Sequence, residues 1–140
     1  MVIAFWGNRD APQEVKGILH KVLSDLIEKE GADRFYVGNQ GNFDRIVIAA
    51  LRELKKDHPH IRYHIVLAYM PNEKGGPNTE ETLYPAEAAV APARFAIDRR
   101  NRWMLRQCDA VITYVTRSYG GAAELKKKAL FQRKRVIELS

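Results

Sequence analysis

The chain has a single cysteine, Cys108. No internal disulfide can form, and a cysteine-rich zinc site is excluded. No stretch approaches the roughly 18 consecutive apolar residues of a membrane-spanning helix, and the apolar start Met1-Val2-Ile3-Ala4-Phe5-Trp6 lacks both the basic leader and the longer hydrophobic region of an export signal. We therefore expect a cytoplasmic protein without a membrane partner. There is no low-complexity tract and no long run of like charge, so the chain is expected to fold throughout. Two nucleotide signatures are also missing. No G-x-x-x-x-G-K-[ST] and no G-x-G-x-x-G occurs, which disfavours ATP hydrolysis and ordinary NAD-dependent hydride transfer.

What is present is the mixture of an ordinary globular domain: 140 residues, 46% hydrophobic and 29% charged. That length makes residues 1–140 one domain. A net charge of +6 and a pI near 9.5 favour anionic partners without bearing on the fold.

Apolar runs alternate with helical periods. Val2 to Trp6 reads as a strand ending at Gly7. Val15, Ile18, Leu19, Val22, Leu23, Leu26 and Ile27 then recur at three-and-four spacing on one helical face. Asp10 is expected to cap that helix with Gln13 as its capping-box partner, Pro12 to fit its first turn and Gly31 to stop it. The unit repeats with Arg34 to Val37 as a strand, residues 38–42 as a loop and Phe43, Val47, Ala50, Leu51 and Leu54 as one helical face. Tyr63 to Tyr69 reads as a strand buried on both sides. Residues 70–93 break every period and are expected to form a flap over the site. A helix over 94–107 follows, with Ile97, Met104, Leu105 and Cys108 inward and Arg99, Arg102 and Arg106 outward. Ala110 to Val115 is a strand, Ala122 to about Arg133 a helix, and Arg135 to Leu139 a closing strand. The alternation predicts an α/β fold with a mainly parallel sheet of about five strands and helices on both faces.

In such sheets ligands bind beyond the carboxyl ends of the strands, where helix beginnings offer unpaired N–H groups. Gly7-Asn8-Arg9-Asp10, Gly38-Asn39-Gln40-Gly41 and Ser118-Tyr119-Gly120-Gly121 each stand between a strand and a helix. Glycine lets backbone approach a phosphate, and asparagine, glutamine and serine offer neutral hydrogen bonds to a sugar or base. One such loop is as often a plain turn, but three at corresponding places describe a polar, anion-friendly crevice. Asn101, four residues beyond Ile97, falls on the inward side of its helix with Arg100 at the edge, and needs a loop backbone or a ligand as partner. Other residues have plainer readings. His58, His60 and His64 straddle a turn and a strand without metal spacing; Cys108 continues an apolar face; Lys126-Lys127-Lys128 and Arg133-Lys134-Arg135 read as solvated surface. Neither a metal nor a cofactor is expected. Trp6 and Trp103 suit either base stacking or packing.

The order of these motifs, with Gly38-Asn39-Gln40-Gly41-Asn42-Phe43-Asp44, the segment Arg94 to Met104, and Ser118-Tyr119-Gly120-Gly121-Ala122-Ala123, resembles the SLOG superfamily over essentially the whole chain. That superfamily takes its name from the DNA-processing protein Smf/DprA and the Lonely Guy enzymes, and the nearest branch is the small stand-alone YpsA-like proteins of unknown function. The resemblance implies a Rossmann-like three-layer α/β/α sandwich that binds or senses a nucleotide or nucleotide-derived ligand, and a homodimer or higher homo-oligomer. Gly7, Asn8, Arg9, Gly38, Asn39, Gln40, Gly41, Arg100, Asn101, Ser118, Gly120, Gly121 and Ala122 are the expected ligand-binding residues. Lonely Guy enzymes hydrolyse the N-glycosidic bond of nucleoside monophosphates with an R-K pair and the glutamate of P-G-G-x-G-T-x-x-E. Here Arg100 matches the arginine, Asn101 replaces the lysine, the proline and the remaining Gly-Thr are missing, and Glu124 falls near the glutamate's place. Phosphate cradling therefore carries over better than hydrolysis. An N-glycosidase with Arg100 and Glu124 as catalytic residues is the alternative, and single-stranded nucleic-acid binding, suggested by the basic excess and by Trp103 and Tyr119 as exposed aromatics, is a further one.

Overall fold

A computed structural model describes residues 1–69 and 81–140. In chain order it contains β1 (Val2–Gly7), α1 (Val15–Glu30), β2 (Arg34–Val37), α2 (Asn42–Asp57), β3 (Arg62–Val66), β4 (Thr82–Leu83), α3 (Ala86–Ala89), a 3-10 turn (Ala93–Phe95), α4 (Ala96–Gln107), β5 (Ala110–Tyr114), α5 (Gly121–Phe131) and β6 (Arg135–Glu138). The strands form one parallel sheet in the order β4-β3-β2-β1-β5-β6.

Alternation along the strands sorts the apolar residues into two cores. Ile3, Phe5, Phe35, Val37, Ile65 and Ile112 meet Leu19, Leu23 and Leu26 of α1 and Phe43, Val47 and Leu51 of α2. Ala4, Trp6, Tyr36, Val66 and Val111 meet Met104, Leu105 and Cys108 at the end of α4, and Leu125 and Ala129 of α5. The protein is thus a three-layer, Rossmann-like α/β/α sandwich. Each central strand is covered on both faces, which is why these strands are written as continuous apolar runs rather than as alternating ones.

The structure has one strand more than the periodicity predicts. Thr82–Leu83 extends the edge of the sheet through Ile65↔Thr82 and Val66↔Leu83, and two residues are too few to show a period. It belongs to the segment expected as a flap. Residues 81–93 of that segment also hold α3, whereas residues 70–80 lie outside the described residues.

The start of α1 also differs. Asp10 does not cap it, nor does Gln13 close a capping box: α1 begins at Val15 with no side-chain hydrogen bond at its N-cap, Glu14. A tight turn in which the Ala11 N–H donates to the Asn8 carbonyl holds Asp10 upstream, where it pairs with Arg117. Gly31 ends α1 in the left-handed conformation, as expected.

Gly7, at the end of β1, packs directly under the Phe43 ring of α2, and a Cβ there would lie inside that ring's contact distance. Both ring and strand are held by the core, so neither can retreat cheaply. Gly7→Ala is expected to destabilise the protein by about 1–3 kcal/mol, read as a lower urea midpoint. An unchanged midpoint would show that Phe43 yields freely.

Candidate functional site

The carboxyl ends of β1 and β5 open into a cleft of about 360 Å³, at the lower end of the size range of small-molecule sites. Its lining comes from distant parts of the chain. Trp6, Gly7, Asn8 and Arg9 arrive from β1 and its loop, Gln40 and Asp44 from the start of α2, Ile97, Arg100 and Asn101 from α4, and Arg117, Tyr119, Gly120, Gly121, Ala122 and Leu125 from the loop after β5 and from α5.

Backbone bonds tie the loops together. The Asn8 N–H donates to the Tyr114 carbonyl at 2.9 Å and the Asn42 N–H to the Arg9 carbonyl at 2.8 Å, while the Asn8 side chain donates to Thr116 Oγ1. Helices α2 and α5 both start on glycines at positive φ, Gly41 at 89° and Gly120 at 99°. A side chain would be strained at either position. At Gly120 and Gly121 nothing lies within 4 Å of where a Cβ would stand, so the start of α5 is open to whatever enters.

Asn101 organises the floor. Its Oδ1 accepts from Trp6 Nε1 at 3.2 Å and from Arg100 Nε at 2.8 Å, so its partners are two side chains rather than the loop backbone or ligand expected. Arg100 is only 3% exposed, and its Nη1 donates to the Val66 carbonyl at 3.0 Å at the end of β3. Burial lowers its pKa, with Asp44 opposing that shift; a guanidinium nonetheless stays charged. Asp44 is 8% exposed, and its Oδ2 accepts from the Gln40 N–H at 2.8 Å. Its carboxyl is pushed up to about 6 by burial, against the pull of the Gln40 N–H, Arg100 and Arg9. Arg117 holds the Asp10 carboxyl below its ordinary range.

Of the residues expected from sequence, Gly7, Asn8, Arg9, Gln40, Arg100, Asn101, Gly120, Gly121 and Ala122 line the cleft together. Gly38, Asn39, Gly41 and Ser118 do not. Gly38 gives up its side-chain space to Arg100 and Asp44, Gly41 lies against Arg9, and Asn39 and Ser118 are exposed. Glu124 is also outside the lining: it is exposed, 3.4 Å from Lys127. Asp44, Ile97, Arg117 and Leu125 were missed. Asp44 had a signal, since it shares the three-and-four stripe of Val47 and Leu51, a buried face on which a carboxylate needs a reason.

Arg99, Arg102 and Arg106 are exposed. Trp103 is not an exposed aromatic, because it is half-buried and packs edge-on against Tyr36 at 5.1 Å; Tyr119 is 71% exposed. Each lysine of the run has an acid beside it: Glu138 for Lys126, Glu124 for Lys127 and Asp98 for Lys128. Cys108 is buried and its thiol is pushed up to about 11 by burial. Among the described residues no three His, Cys, Asp or Glu side chains gather as a metal site, and no helix is long and apolar enough to cross a membrane.

Two outcomes follow from this geometry. Asn101→Ala leaves the Trp6 indole and the Arg100 Nε without their acceptor, a loss of about 1–3 kcal/mol that urea unfolding will register; full retention of stability would mean that water replaces the amide. Asp44 binds its proton more tightly folded than unfolded, its pKa being about 6 against 3.8. Its contribution to stability is therefore complete below the unfolded pKa and is lost as pH rises through the folded one. That loss is on the order of 2–3 kcal/mol. Asp44→Asn should remove it, gaining relative to the parent between about pH 4 and pH 6; a parent-to-variant difference that does not change with pH would contradict this.

The chain matches no protein-family model, and no curated protein matches it. What the cleft receives is accordingly inferred from its own chemistry.

Proposed function

We propose that this protein binds or senses a nucleotide or nucleotide-derived ligand in the cleft at the ends of β1 and β5, in the manner the SLOG resemblance implies. The observation that carries the reading is the charge of the lining: Arg9, Arg100 and Arg117 stand around one cavity with the open start of α5, and Asp44 is the one carboxylate among the described residues lining it. Helix beginnings and arginines both favour anionic oxygens, the arginines by charge-assisted hydrogen bonds. Tyr119, exposed at the rim, offers a flat surface to a base.

Binding is preferred over N-glycosidic hydrolysis because Glu124 lies outside the lining. It is preferred over single-stranded nucleic-acid binding because Trp103 is packed and the lysine run is paired.

Thermal shift against nucleoside mono- and diphosphates, ADP-ribose-like molecules and cyclic nucleotides should show stabilisation, since a ligand held only by the folded state raises apparent stability by about 2.7 kcal/mol at a hundredfold excess over Kd. Arg117→Ala, at an exposed position that burdens folding little, should weaken that binding by about three- to tenfold at low salt. Folded protein that responds to nothing in the panel at millimolar concentration would refute the proposal.

A further inference from the structure

Gly38 follows β2 at the back of the cleft. A Cβ there would stand 2.8 Å from Arg100 Nη1 and 3.0 Å from Asp44 Oδ2, so a buried guanidinium and a buried carboxylate face each other across a residue with no side chain. They attract one another without closing to ion-pair distance. Each is held by other bonds: Asp44 Oδ2 by the Gln40 N–H, Arg100 by the Val66 carbonyl and the Asn101 side chain. Among the described residues no hydrogen bond reaches Asp44 Oδ1 or Arg100 Nη2. The lining side chains Asp44 and Arg100 thus keep, among the described residues, acceptor and donor capacity that the protein itself does not use.

A neutral group that both donates and accepts satisfies both. A phosphate would be repelled by Asp44 and an ammonium by Arg100, and an apolar group would leave two charged side chains without partners. A hydroxyl donates its hydrogen to the carboxylate while its oxygen accepts from the guanidinium, both from a single atom. Resting on the nucleotide reading above, we infer that Asp44 and Arg100 form a subsite for the hydroxyls of the ligand's sugar. The phosphate then lies at the opposite lip, toward Arg117 and the start of α5. The ligand class narrows to ribose-bearing nucleotides, and the cleft reads ribose through a carboxylate on α2.

The test is isothermal titration of two matched pairs, AMP with 2′,3′-dideoxy-AMP and UMP with 2′,3′-dideoxy-UMP, against the parent protein, Asp44→Asn and Asp44→Ala. The parent should prefer the ribose form by about tenfold or more in at least one pair. Asp44→Ala should bring that ratio close to one with the dideoxy affinity unchanged or improved, and Asp44→Asn, which keeps shape and an acceptor but loses charge, should fall between. Equal affinity for ribose and dideoxy forms in the parent overturns the subsite while leaving the nucleotide reading in place, as does a ratio that survives both substitutions. Should no member of either pair bind the folded parent, and ADP-ribose also fail, the nucleotide reading and the subsite fall together. Because the parent ratio needs no variant, a substitution that unfolds the chain does not spare the proposal.

Discussion

β1 is hydrogen-bonded to β2 on one side and to β5 on the other, and the helices that follow these strands pack on opposite faces of the sheet. Chain leaving β1 goes to α1, on the face shared with α2; chain leaving β5 goes to α5, on the face shared with α4. Two loops that start side by side must therefore separate. The space between them cannot be filled by the sheet; the Asn8 N–H bond to the Tyr114 carbonyl ties the β1 loop to the end of β5, and the Asn42 N–H bond to the Arg9 carbonyl ties it to the start of α2. Every other property of the site depends on this divergence, because it brings residues from four separate segments to one opening.

Within that opening the costly feature is a buried cation. Taking a charge out of water costs several kcal/mol even after relaxation, and Arg100 recovers part of it through the Val66 carbonyl, Asn101 and the nearby Asp44. A leucine at this position would pack without any such cost. The arrangement is instead one in which the guanidinium's orientation is fixed in advance by neutral partners while its charge is only partly offset. Such preorganisation lowers the conformational entropy lost on binding. The raised pKa of Asp44 belongs to the same economy of burial: a carboxylate with one backbone N–H and no closed ion pair is not fully compensated.

The sandwich and the place of its candidate cleft were legible because both are written in pattern. Apolar runs that end in Gly7 and Val37-Gly38, followed by helical periods, force loops to the same edge of a parallel sheet, and nine of the thirteen expected binding residues meet in the cleft. What pattern does not encode is side-chain reach. Asp44 stands in the first turn of α2, where an acid is ordinarily explained by the helix dipole, and nothing local says that α4 will bring an arginine against it. Asp10 shows the reverse error. Its sequence position suits a cap, but a turn and a distant arginine on the β5 loop decide its partner. Ser118 and Asn39 share the composition of a binding loop and stand exposed beyond the lining; composition marks the loop, and only backbone direction chooses which of its residues turn inward.

The positions of the two candidate carboxylates bear on chemistry as well as on binding. A group that assists cleavage of an N-glycosidic bond must reach the sugar carbon or the water beside it. Glu124 is exposed on α5 with Lys127 beside it, whereas Asp44 lies in the floor with one oxygen fixed by the Gln40 N–H. A fixed, buried acceptor facing a fixed, buried donor is well suited to recognising a hydroxyl, which requires geometry alone. Catalysis would in addition require Asp44 to meet the sugar's reacting carbon from the position proposed to hold its hydroxyls, and a carboxylate anchored by the Gln40 N–H has little freedom to serve both. Recognition asks only for an acceptor held in place, and this is why we propose ribose binding rather than release of the base.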